Sequence, residues 1–233
     1  MTGRGLKFLL AYDGTDFVGW QRQKSGRSVQ EVLEAALKQL TGKPAAVTGA
    51  GRTDSGVHAL GQVAHAKITS RLSLPEIHKA LNAILPNDVV VRSIEIAPGR
   101  FHARYSAKSK WYRYQIWNDP VRPIAGRERM YHLAERLDLA AMRRAARKIS
   151  GRRDFKKFAS SGSTPIGSTV RTVRLTLRKQ GPLITLDARG DGFLYHMARR
   201  IAGHLMEIGK GRPAPAIAPT APARGLCMIE VRY

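Results

Sequence analysis

The chain predicts an α+β fold of two halves, each running β-α-β-β-α-β, which share a mixed, mainly antiparallel sheet with helices packed on it. Three observations carry this. Strand-type apolar runs and helix-period runs follow one another in that order and then do so again. Capping and stop residues punctuate the helical runs. The 233 residues, 43% of them apolar, suffice for one large domain or two small ones with a sizeable core. The halves are expected at 1–104 and 105–233; no sequence similarity relates them, so the repeat is one of topology.

In the first half, Leu6 to Tyr12 reads as a strand closed by Asp13-Gly14. Ser28 to Thr41 reads as a helix. Ser28 and Glu31 have capping-box spacing, Val29, Val32, Leu33, Ala36, Leu37 and Leu40 share one face, and Gly42 stops it. Ala45 to Thr48 and Gln62 to Ile68 read as strands flanking a glycine-rich loop. Leu74 to Leu85 is a second helix, capped by Ser73 with Glu76 and ended at Pro86, and Asp88 to Ala97 is a strand.

The second half opens with a strand of alternating aromatics, Tyr105 to Trp117. A helix spans Asp138 to Ser150, with Leu139, Met142, Ala146 and Ile149 inward, Arg143, Arg144, Arg147 and Lys148 outward, and Gly151 at its end. Residues 151–168 read as a basic, mobile loop. Thr169 to Lys179 and Leu183 to Arg189 are strands joined at Gln180-Gly181-Pro182. Leu194 to Ile208 is a helix ended by Gly209, residues 209–225 form a Pro- and Ala-rich extended connector, and Leu226 to Arg232 is a last strand. Each half thus matches the split βαβ, ferredoxin-like unit.

Charge narrows the partner. Lys and Arg number 40 against 17 Asp and Glu, a net +23, and residues 121–212 hold 21 of those cations against 7 acids. An excess of this size implies an anionic partner, most simply nucleic-acid phosphate. The opposing reading is a charge coat without chemistry. A membrane surface fits less well, because no long apolar run or lipidation signal is present. The single cysteine, Cys227, rules out disulfides within the chain and Cys-based zinc sites, and its alternation with Ile229 and Val231 predicts a buried thiol. The scattered histidines have no metal-ligand spacing, so no metal is expected. The opening MTGRGLKFLL lacks the length and cleavage signal of a secretory peptide, and a cytoplasmic protein is expected.

The chemistry-bearing stretch is Gly49 to Ala59, GAGRTDSGVHA, where Asp54 sits between Arg52 and Gly56. A loop carboxylate can serve as nucleophile or general base, and Arg52 would favour its charged form. An Asx-turn residue shaping the loop fits the residues equally well. His58, four residues on, either sits near Asp54 or packs the loop. In Lys110-Trp111-Tyr112-Arg113-Tyr114 the tyrosines share one face with Lys110, and Trp111 and Arg113 share the other. One face suits base stacking with phosphate pairing and the other core packing; the pattern leaves open which is which. Arg199 and Arg200 point either at a carboxylate or phosphate or simply into solvent.

Several of these stretches together resemble the tRNA pseudouridine synthase A family. They include LAYDGTDFVGWQRQ (10–23), SVQEVLEAAL (28–37), GAGRTDSGVHALGQVAH (49–65), FHARYSAKSKWYRYQIWN (101–118), FLYHMARRIAGHLMEIG (193–209) and GLCMIEVRY (225–233). The resemblance covers almost the whole chain, and the order of so many motifs makes it specific. It implies the pseudouridine synthase fold, with an RNA cleft between the halves. It implies isomerisation of uridine to pseudouridine in the anticodon stem-loop of tRNA, by a homodimer with no metal or organic cofactor.

The resemblance also implies roles. Asp54 of the GRTD motif is the essential aspartate, attacking the ribose C1′ or removing the 2′ proton. Tyr112 stacks on the flipped uracil and serves the C5 proton. Arg52 draws the uridine from its stack, and Arg199 of the HMxR motif pairs with the aspartate. The chain departs from the family pattern in three places. Residues 210–224 replace a longer, helix-bearing stretch, Ser55 stands where alanine is commoner, and Arg200 where many members have asparagine. A rival reading is an RNA-binding protein without turnover, should the shortened stretch spoil the site; another is a synthase acting on a different RNA.

Overall fold

The computed structural model describes residues 3–160 and 168–233. The chain forms two compact units, residues 1–107 with 228–233, and residues 108–227.

In the first unit, β1 (Arg4–Tyr12) is followed by α1 (Val29–Thr41), β2 (Val47–Gly49), β3 (His58–Ile68), α2 (Leu74–Ile84) and β4 (Val89–Ile96). Strand β1 lies between β4 and β3, antiparallel to both, with Phe8 opposite Ala64 and Ile94. Short β2 runs antiparallel on β3, with Thr48 opposite His65. Alternation decides the faces: Leu6, Phe8 and Leu10 are fully buried while the residues between them are half-exposed. Helix α1 forms where its local code requires. Ser28 Oγ accepts from Glu31 N–H, and Gly42, at φ +71°, closes the helix by donating to Lys38 O. Val29, Leu33, Ala36 and Leu37 of its apolar face are buried. At α2 the Glu76 carboxylate accepts from both Ser73 N–H and Ser73 Oγ, each at 2.7 Å.

In the second unit, β5 (Ser109–Trp117) is followed by β6 (Tyr131–His132), α3 (Leu139–Ile149), β7 (Gly151–Asp154), β8 (Val170–Gln180), β9 (Leu183–Gly190) and α4 (Met197–Gly209). The strand order β5-β9-β8-β7 is antiparallel throughout, and β6 adds a short parallel pairing to β5. The chain closes with β10 (Leu226–Arg232), which is hydrogen-bonded to β3 and belongs to the first unit from Met228 on. Helix α3 starts at an Asp138 cap, whose carboxylate accepts from Ala141 N–H at 2.9 Å. It buries Met142, Ala146 and Ile149, while Arg143, Arg144, Arg147 and Lys148 are exposed as expected. Cys227 is buried.

The structure differs from the sequence expectation at three element edges. The strand expected from Tyr105 begins only at Ser109. Residues 102–106 form a turn in which Ser106 N–H donates to His102 O, His102 Nδ1 accepts from Arg104 and Tyr105 N–H, and the Tyr105 ring stacks on His102 at 4.4 Å. The basic stretch expected as loop opens instead with β7, antiparallel on β8 with Arg153 opposite Arg171. Its Ser161 to Gly167 portion lies outside the described residues. The helix expected from Leu194 starts at Met197, because His196 takes the left-handed conformation at φ +60°, which interrupts helical geometry.

Candidate functional site

The glycine-rich loop returns between β2 and β3 as a segment pinned from both sides. Behind it lies the stretch that follows β1. Trp20 N–H donates to Thr53 O at 3.0 Å, Gly56 N–H to Phe17 O at 3.3 Å, and Ser55 Oγ to Phe17 O at 3.2 Å. Tyr12 Oη and Thr53 Oγ1 share a hydrogen bond of 2.8 Å with both side chains buried. On the other side, Gln62 Nε2 donates to Gly51 O at 2.8 Å, and Ala50 N–H to Val63 O at 2.7 Å. These bonds satisfy loop backbone that no regular element serves, so the loop holds one shape.

Asp54 occupies the tip of this loop. Its carbonyl accepts from Val57 N–H at 3.1 Å, a tight turn that places Gly56 at φ +75°. Its backbone pairs with Gly19 as an isolated antiparallel bridge. The residue is half-buried. Arg52 is exposed. The buried side chain of Thr53, hydrogen-bonded to Tyr12, anchors the segment between the two residues.

His58 is 4% exposed. Its Nδ1 lies 3.0 Å from Gly14 N and 3.1 Å from Asp13 Oδ1. One nitrogen cannot accept from the first and donate to the second; the backbone N–H is an obligatory donor, so Nδ1 is its acceptor. His58, at the start of β3, thus fastens the Asp13-Gly14 turn.

In the second unit, Tyr112 is 7% exposed and its ring meets Phe193 edge-on at 4.8 Å. Tyr114, on the same face, is fully buried. Its hydroxyl donates to Pro222 O at 2.9 Å, and burial pushes the phenol well above its ordinary range. The tyrosine face of β5 is thus the covered one. On the opposite face Asp187 of β9 gathers Trp111 Nε1 (2.9 Å) and Arg113 through Nε (2.8 Å) and Nη2 (3.0 Å). Burial works to raise the Asp187 carboxyl. Hydrogen bonds from Arg113 and Trp111, with the charges of Arg113 and Arg189, outweigh it and hold the group below the usual carboxylate range. Arg189 lies over the Trp111 ring at 4.0 Å.

Arg199 and Arg200, in the first turn of α4, both reach the Pro- and Ala-rich stretch. Arg199 Nε donates to Ala221 O at 2.8 Å, and Ala221 N–H donates back to Arg199 O at 3.2 Å. Arg200 Nε donates to Ala218 O at 2.9 Å and its Nη1 to Ala159 O. The stretch also crosses α4 closely at Gly203, where an added Cβ would run into Pro219 O. So the shortened connector is bonded to the helix rather than merely extended beside it. The tethering by Arg200 had no signal in the sequence, where it read as a substitution at a family position.

Among the described residues, no three His, Cys, Asp or Glu side chains gather closely enough to hold a metal ion. Among them too, no helix is long and apolar enough to cross a membrane.

A family model described as tRNA pseudouridine synthase matches residues 9–106 and 145–219. The first segment contains Asp54, Arg52 and His58, and the second contains Arg199. The chain is similar to tRNA pseudouridine synthase A of Moorella thermoacetica, with 44% identity over 98% of this chain and 99% of that protein. It is similar to the enzymes of the same name from Syntrophotalea carbinolica, at 43% identity over 98% and 96% of the two chains, and Acetivibrio thermocellus, at 41% over 99% and 100%. With identity at this level along nearly its whole length, and with the GRTD loop held rigidly at the centre of the matched region, this chain belongs to the tRNA pseudouridine synthase family, an α+β fold of isomerases.

Proposed function

We propose that this protein isomerises uridine to pseudouridine in the anticodon stem-loop of tRNA, with Asp54 as the reacting carboxylate. The observation that carries the proposal is the pinned loop. A carboxylate is held at the tip of a segment whose backbone is bonded on both sides, so its position needs little reorganisation when substrate arrives.

The reaction breaks the N1–C1′ bond and forms C5–C1′. N1 ends with a proton and the C5 hydrogen leaves to solvent, so no oxidant or second substrate is consumed. Asp54 starts it by attacking C1′ or by taking the 2′ proton; either fits an ionised carboxylate. Tyr112 offers a ring for the detached base and a hydroxyl for the C5 proton. Arg52, exposed beside Asp54, suits contact with the phosphodiester of a uridine leaving its stack, a step that costs a few kcal/mol. Arg199 anchors the first turn of α4 to the Pro- and Ala-rich stretch, and His58 holds the base of the loop. The substrate is tRNA held by its phosphates, as the net charge of +23 favours. A homodimer acting in the cytoplasm completes the reading; sedimentation at micromolar concentration tests the first part and cell fractionation the second.

The deciding experiment uses unmodified tRNA tritiated at uracil C5. Release of tritium is expected from wild type and not from Asp54→Asn. Binding of tRNA without release by wild type would instead favour the RNA-binding reading, and release only from other structured RNAs would favour a different substrate.

A further inference from the structure

Residues 101–106, between β4 and β5, end a row of stacked rings in solvent. His65 of β3 lies 4.9 Å from His102, and His102 is stacked on Tyr105 at 4.4 Å and 29° from parallel. Behind them, Phe101 meets His65 edge-on at 6.0 Å and lies 4.8 Å from Tyr233. Hydrogen bonds fix the row. His102 Nδ1 accepts from Arg104 N–H and Tyr105 N–H, each at 3.2 Å, and His102 N–H donates to Ser106 Oγ at 3.1 Å. Ala103 N–H donates to His65 Nδ1 at 3.2 Å, and Ala103 O accepts from the Tyr233 hydroxyl at 2.8 Å. A ring held this way loses little freedom when a second ring stacks on it.

Tyr105, the outer member, is 75% exposed, more than any other Phe, Tyr or Trp among the described residues. His102 covers one face of its ring. The other face is open. The Arg104 guanidinium lies 5.7 Å from the ring centre, against the 4.0 Å at which Arg189 lies on Trp111, and a ring covered on both faces would not leave so much of the residue exposed. Arg104 and Arg100 are both exposed. Among the described residues neither forms an ion pair. Residues 97–106 contain no carboxylate, and Glu95, the acid next before them in the chain, is engaged by Lys7 at 3.4 Å.

We propose that Tyr105 is a stacking platform for an unpaired base of the bound RNA, with Arg104 and Arg100 meeting the phosphates that flank it. The platform deepens the function given above and rests on RNA being the substrate. A preset aromatic face takes any flat π system, and free cations take any anion; an unpaired nucleotide within a chain offers both at adjoining positions. A base inside a duplex does not fit, because its neighbours already cover both of its faces. An acidic peptide would satisfy the arginines but leave the ring without a partner. A second copy of this chain, meeting the same patch by two-fold symmetry, would set Arg100 and Arg104 against like charges.

The test uses the full chain. Binding of unmodified tRNA is compared for wild type, Tyr105→Phe, Tyr105→Leu, Tyr105→Ala and Arg104→Ala, with thermal melting to confirm that each folds. Leu keeps apolar contact with His102 and removes the π face, so it carries the test should Ala fail to fold. Expected is a loss of affinity of about five- to a hundredfold for Leu and Ala, against a change within about twofold for Phe. The salt slope should be unchanged by Leu and Ala and fall by about one phosphate for Arg104→Ala. The same loss is expected on a short single-stranded oligouridylate and not on a blunt RNA duplex of equal length. Wild-type affinity in Leu and Ala, or an equal loss on the duplex, overturns the platform. So does a loss of the same size in Phe, which would assign the contact to the hydroxyl. Tritium release by wild type with no effect of Tyr105 on binding sinks the platform alone, whereas absence of release with the binding pattern intact sinks the proposed function alone.

Discussion

Gly19 and Asp54 are joined backbone to backbone by an isolated antiparallel bridge, with Gly19 at φ +113°. A Cβ added at Gly19 would lie 2.6 Å from Thr53 O, a backbone atom that cannot move without moving Asp54. Gly19→Ala therefore meets two penalties, the positive φ and the close approach. A stability loss of about 1–3 kcal/mol is expected, together with a roughly hundredfold fall in turnover from a displaced carboxylate. Thermal melting and single-turnover tritium release measure the two separately. A variant that melts lower yet turns over at the wild-type rate would show that the bridge serves the fold alone.

Asp54→Asn keeps the side-chain shape and the backbone bridge but removes the charged oxygen. Turnover should vanish while tRNA affinity holds, because phosphate contacts elsewhere supply the binding. Filter binding beside the tritium assay checks both. Turnover retained by the variant would refute the assignment of Asp54.

Asp187 joins β9 to Trp111 and Arg113 of β5, and its carboxyl is held below the usual range. An unfolded aspartate titrates near about 3.9. The folded value is lower, so the stabilisation is complete above the unfolded value and fades as pH falls through the folded one. Asp187→Asn should cost about 1–3 kcal/mol at neutral pH, and the gap to wild type should narrow in acid. Urea midpoints at pH 7 and near pH 3 (about an order of magnitude in protonation below the unfolded value) test this. An equal gap at both would mean that Asp187 acts by shape and not by charge.

What could be read from sequence was what short-range physics fixes. Ser28, Glu31 and Gly42 set the ends of α1, and Asp138 the start of α3, through contacts within a few residues. Strand β7 was hidden because all four of its residues are exposed, so it has no apolar alternation and exists only by pairing with β8. Tyr105 extended the aromatic alternation of β5 by pattern, but its ring stacks on His102 in a turn. The GRTD loop was visible as a motif, whereas its fastening was not: Tyr12, Phe17, Gly19 and Trp20 reach it from more than thirty positions earlier in the chain. Likewise Arg200 read as a surface or phosphate-seeking cation, and only the fold shows its hydrogen bonds to Ala218 and Ala159.

Binding of tRNA should depend steeply on salt. A chain with net charge +23 holds RNA largely by displacing condensed counterions. The logarithm of affinity should fall linearly with the logarithm of salt, by about 0.7–0.9 per phosphate neutralised. With several phosphates engaged, a loss of about a thousandfold is expected between roughly 50 and 200 mM. Asp54→Asn should give the same slope, since the role proposed for its carboxylate is at the ribose and not at a phosphate. Arg52→Ala should lower the slope by about one phosphate if its exposed guanidinium grips the backbone. Filter-binding isotherms at four or five salt concentrations (a number set by the need for a slope, about one per doubling) give both quantities. A flat response in wild type would mean that shape and stacking, not phosphate charge, hold the tRNA, and would detach the basic surface from the function.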